Sequence, residues 1–145
     1  MREILFRGKR TDGQWIYGGL LKVTYDGNTY NLIFADNFLF VFGEATAMEH
    51  ACVDPATVGQ FTGLTDKNGK KIFEGDIVRV LGNQQVDDWK NVDYVALIAF
   101  LDGGFCAIDG TVEEHGFRRY ALARMDFSLE IIGNQFDNPE LLENP

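Results

Sequence analysis

Residues 60–78 read QFTGLTDKNGKKIFEGDIV, and this stretch decides the fold, because a tight turn and a charged bend follow one another between two apolar runs. Asp66, Lys67, Asn68 and Gly69 form the turn signal. An Asn-Gly pair takes up the positive φ values that a hairpin reversal demands, so strands are expected on both sides. Glu74, Gly75 and Asp76 make a second bend. Ile77, Val78 and Val80 then supply the β-branched residues of a half-buried strand.

The same grammar extends outward. Toward the N-terminus, Ile4, Leu5 and Phe6 lead to a turn at Asp12-Gly13, and Trp15, Ile16 and Tyr17 begin a return strand through Val23. Trp15 and Tyr17 are expected in the core, and Gly18-Gly19 marks a bulge or a close approach. Asp26-Gly27-Asn28 turns the chain into residues 30–35, and Asp36-Asn37 separates that run from residues 38–42, which makes the first third a β-meander. Phe38, Phe40 and Phe42 alternate onto one face, either core or interface. Asp54-Pro55 predicts a capped helical turn before Gly59. Toward the C-terminus, residues 82–91 read as a polar loop holding Trp89, and residues 92–101 and 105–108 as a hairpin through Asp102-Gly103-Gly104. Residues 113–126 fit helix and strand periods alike and are assigned as strand. Residues 128–132 close the sheet, and Asn138-Pro139 caps a short terminal helix. The fold class is all-β.

Whole-chain numbers agree with that class. The 145 residues include 16 glycines but only three prolines, with 46% hydrophobic and 24% charged residues, the balance of a folded, turn-rich protein rather than a disordered one. A formal net charge of −9 repels a long phosphate backbone unless cations cluster, so nucleic acid is an unlikely partner. With only Cys52 and Cys106, and no signal-peptide pattern at the start of the chain, a reducing cytoplasm is the expected compartment and no disulfide is expected. The longest apolar run, residues 94–101, is far short of the ~20 residues a membrane-spanning helix needs.

Three blocks, FRGKRTDGQWIYG at 6–18, the stretch 60–78, and EIIGNQFDNPELL at 130–142, resemble the YopX family of small proteins encoded by bacterial phages and prophages. The resemblance implies a mainly β protein, with the EGDIV segment in an SH3-like barrel beside an additional β-meander, and self-association. It brings no established activity and no catalytic residues. The chain is therefore expected to form a single YopX-like domain over 1–145, or two packed β sub-units: about 1–52 with the C-terminal strand, and about 53–110 as the barrel.

Candidate chemistry is thin. Asp66, Glu74 and Asp76 have the composition of a divalent-cation or acid–base site, and a metal-dependent hydrolase is one alternative function. Turn stabilisation by Asp66 and Asp76 explains the same residues more simply, with Asn68, Gly69 and Gly75 completing a structural signature. His50, Cys52, Cys106 and His115 match the ligand count of a zinc site but not the spacing of one. Ser128, the single serine, sits in no nucleophile elbow, and no glycine-rich phosphate loop is present. No cofactor or catalytic residue is assigned. Arg7, Lys9, Arg10, Trp15 and Tyr17 could form a basic, aromatic strip for single strands, and the acidic balance could imitate DNA. The expected function is a non-enzymatic protein-interaction or self-assembling module whose partner is itself or a host or phage protein. Phe38, Phe40, Phe42 and Trp89 are the expected interface.

Overall fold

The computed structural model describes residues 2–35, 50–82, 93–109, 119–122 and 128–143. They divide into two compact units, residues 1–61 and 62–145. The all-β expectation holds in both.

In unit 1, β1 (Phe6–Lys9), β2 (Trp15–Tyr25), β3 (Asn28–Phe34), β4 (Cys52–Val53) and the start of β5 (Gly59–Thr65) form an antiparallel sheet in the order β4-β3-β2-β1-β5. Asp26 and Gly27 both hold positive φ, 49° and 76°, so the β2–β3 reversal is the two-residue turn whose twist suits a hairpin. Gly18 is a close approach rather than a bulge: a Cβ there would fall on the Phe34 carbonyl. Gly19 has open space around it. Leu32 and Ala51 form the core of one sheet face, with Val23, Phe34 and Cys52 packed on it. The predicted helical turn is a single 3-10 turn, Pro55–Thr57, and the Asp54 carboxylate accepts from Ala56 N–H at 3.0 Å.

In unit 2, β5 runs on and pairs with β6 (Lys71–Phe73), while β7 (Asp76–Leu81), β8 (Asp93–Leu101), β9 (Gly104–Asp109), β10 (Arg119–Ala121) and β11 (Ser128–Asn134) form a sheet in the order β10-β9-β8-β7-β11. Ile72, Val78, Val80, Ala96, Ile98, Ala107, Leu122 and Leu129 make its core. Full burial of an aliphatic side chain such as Ile72 or Ile98 stabilises by about 1.5–3 kcal/mol. The strand expected to be half-buried is more deeply placed, since Ile77, Val78 and Val80 are all fully buried and only Arg79 on β7 is exposed. Asp102 and Gly103, at φ 52° and 81°, close the β8–β9 hairpin as Asp26 and Gly27 close theirs. Glu140–Glu143 is the short terminal helix.

Among the described residues the second sheet ends in β10 and β11, an order that does not establish an SH3-like barrel. The C-terminal strand β11 pairs with β7 in unit 2, not with the N-terminal sub-unit, and the division falls after Phe61 rather than near residue 52. Of residues 113–126, the strand assignment is met at Arg119–Ala121. Phe38, Phe40, Phe42 and Trp89 lie outside the described residues.

Candidate functional site

The acidic residues of the opening stretch are used by the backbone around them. Gly69 N–H donates to the Asp66 carbonyl at 3.0 Å and Asp66 N–H to the Lys70 carbonyl at 2.7 Å, which closes the reversal with Gly69 alone at positive φ, 81°. Asn68 does not share that conformation, so this turn needs one left-handed residue where the Asn-Gly reading supplied two. Asp66 is buried, and its Oδ1 accepts from Asn68 and Lys70 N–H, both at 2.9 Å. Its Oδ2 accepts from Ile131 N–H at 3.1 Å, tying the turn to β11. Burial pushes the Asp66 pKa upward, but the donors at Ile131, Lys70 and Asn68, with the Lys70 charge, outweigh it and hold the group below its ordinary value.

The second bend is built the same way. Asp76 is almost fully buried, at 2% exposure, and its Oδ2 accepts from Phe73 N–H at 2.8 Å. Gly75, at φ 87°, donates its N–H to the Ile98 carbonyl at 2.8 Å, and its carbonyl accepts from Gln135 N–H at 2.9 Å. The bend is thus held from β8 and from the turn after β11. Asp66 and Asp76 serve main-chain N–H groups, and among the described residues no three His, Cys, Asp or Glu side chains are grouped to hold a metal ion. His50 and Cys52 lie in unit 1 and Cys106 in unit 2, where its thiol donates to the Ala99 carbonyl at 3.6 Å. His115 is outside the described residues.

The cations of the basic strip are engaged by neighbours within unit 1. Register sets Lys9 opposite Trp15 and Arg7 opposite Tyr17. The Arg7 guanidinium lies 4.9 Å from the centre of the Trp15 ring and the Lys9 ammonium 5.9 Å from it, and Arg7 is buried at 6% exposure. Arg10 pairs with Asp12 at 3.0 Å and donates to His50 Nδ1 at 3.3 Å. A cleft of about 500 Å³ beside this cluster is lined by Lys9, Arg10, Cys52, Val53, Asp54 and Thr57, among others. Of the residues that make up the acidic balance, Asp93 is engaged by Arg79 through two bonds of 2.9 and 2.7 Å, the pair lowering the Asp93 pKa and raising that of Arg79.

What the sequence reading missed is a face. Tyr17, assigned to the core, is 47% exposed, and Leu21 and Tyr25 farther along β2 are 51% and 73% exposed. These positions share a parity, and the pairing of Val23 with Tyr30 places the exposed Tyr30 on the same side. Leu32 on that side is covered by Ala51. The signal was present at positions 17, 21 and 25, where a half-solvated strand ordinarily carries polar residues.

A hairpin-built all-β protein whose acidic bends serve its backbone is the class these observations define. The YopX protein family matches residues 5–143, nearly the whole chain, and the chain belongs to that family. Curated proteins give no match. Among solved structures, the chain is similar to protein EF1440 from Enterococcus faecalis at 23% identity, over 98% of this chain and 99% of that one, with a TM-score of 0.46.

Proposed function

We propose that this protein acts by binding protein surfaces, its own second copy first among them, and not by catalysis. The observation that carries this reading is the exposed sheet face of Tyr17, Leu21, Tyr25 and Tyr30. Tyrosine and leucine gathered on one side of a hairpin gain from being removed from water, and tyrosine brings contact area at low entropic cost. A two-fold pair brings the same patch together from both partners, so one apolar face suffices for self-association. The net charge of −9 opposes approach at long range, and added salt is expected to strengthen the association. Membership of the YopX family supports a phage or prophage origin and the cytoplasm of a bacterial host as the setting.

Light scattering is the test. The wild-type chain is expected to form dimers or larger species, and the Leu21→Ser/Tyr25→Ser variant to be monomeric with an unchanged circular dichroism spectrum. A monomeric wild type, at low and high salt alike, would remove the self-association reading. Phe40→Ala and Trp89→Ala in the same measurement test the surface expected from sequence; loss of association there, with the double variant unaffected, moves the interface away from β2 and β3.

A further inference from the structure

Among the described residues β11 is an edge strand, paired on one side with β7. On its other side the main chain at Leu129 and Ile131 is met by the turn at residues 66–70. Lys67 N–H donates to the Leu129 carbonyl at 2.8 Å, Ile131 N–H donates to the Asp66 carboxylate at 3.1 Å, and the Lys67 ammonium pairs with Glu130 at 3.1 Å. A donor, an acceptor and a charge opposite the side chain between them are what an added antiparallel strand would bring to the same edge. A side-chain carboxylate here does part of the work of a strand.

We propose that the 66–70 turn is a displaceable guard on a strand-accepting edge, and that the partner fitting this edge is an extended segment with lysine or arginine opposite Glu130. The guard is suited to leave, because Lys67, Asn68, Gly69 and Lys70 are all exposed and only Asp66 is buried. Leu129 is buried in the core of unit 2 and Ile131 packs against that core, so recognition at this edge rests on their main chain and on the Glu130 carboxylate between them. A second copy's β11 is a poor occupant: the register in which Leu129 and Ile131 exchange bonds between copies sets Glu130 against Glu130, and like charges directly opposite are destabilising. This surface lies in unit 2 and is independent of the face on β2 and β3.

Fluorescein-labelled peptides Thr-Val-Lys-Val-Thr and Thr-Val-Glu-Val-Thr, titrated into the full chain and its Asp66→Ala/Lys67→Ala variant, test the proposal by anisotropy. The lysine peptide is expected to bind the variant about tenfold or more tightly than wild type, since the closed guard no longer reduces the competent fraction. The glutamate peptide is expected to bind the variant about tenfold more weakly than the lysine peptide. Equal affinity of the lysine peptide for both proteins overturns the guard, and equal affinity of the two peptides overturns the partner. If circular dichroism shows the variant unfolded, hydrogen exchange on wild type decides: excess lysine peptide is expected to slow the Ile131 amide, and an unchanged rate overturns the proposal.

Discussion

Gly18→Ala is expected to destabilise unit 1 by about 3 kcal/mol, at the upper end of what overpacking costs. The reason is what the new methyl would meet. Gly18 sits opposite Phe6 in the β1–β2 ladder, and the added Cβ would land on the Phe34 carbonyl, with Ala35 N at 2.8 Å. These are backbone atoms, so no rotamer change gives way, and β3 must move from β2 for the side chain to fit. Gly19→Ala is the internal control, since a Cβ there has nothing within 4 Å, and its effect is expected to stay within about 0.5 kcal/mol. Denaturant melts followed through Trp15 fluorescence in a Trp89→Phe background read unit 1, a local probe being needed because two units need not unfold in one transition. Similar melts for the two alanine variants would show that Gly18 is not a packing point.

That contrast shows where sequence reading reaches its limit. Gly18 and Gly19 are the same residue in adjacent positions, and only the path of β3 separates them. Local chemistry was legible wherever a residue acts on its neighbours. Asp26-Gly27 and Asp102-Gly103 turn the chain where their positive φ preference says they should, and Asp54-Pro55 starts a helical turn with the predicted cap. Contacts distant in sequence were not legible. Asp66 accepts from Asn68 and Lys70 in its own turn, which a local pattern can express, but Ile131, sixty-five positions away, is a third donor that no local pattern encodes. The pairing of β11 escaped for the same reason: alternation gives each strand a buried side and leaves its partner open, so β7 and the N-terminal meander were equally acceptable. Charge misled most at Arg7. A cation in a strand reads as solvent-facing, yet the ring of Trp15 and the surrounding sheet bury it.

Asp66→Ala is expected to cost about 2–4 kcal/mol at neutral pH, the value of losing a charged acceptor shared by three N–H groups. Asn68, Lys70 and Ile131 lose their partner together, and Ile131 lies in the edge strand that the turn holds. The loss therefore propagates from the 66–70 turn to β11. Asp66→Asn separates the two ends of the carboxylate: one oxygen remains for Asn68 and Lys70, while the amide nitrogen is brought against the Ile131 N–H, donor to donor. Its cost is expected to be smaller than that of alanine and confined to β11, visible as faster exchange at Ile131 with the turn amides still protected. The pH dependence has a definite sign. The folded pKa lies below the ordinary carboxylate value, so the stabilisation is present above the unfolded pKa of about 3.9 and is lost as pH falls through the lower folded value. The stability difference between wild type and Asp66→Ala should stay constant from about pH 7 to pH 5 and shrink below about pH 4. A difference that persists unchanged to pH 2 would mean that the ionised carboxylate is not what holds the turn, and that the substitution acts through packing alone.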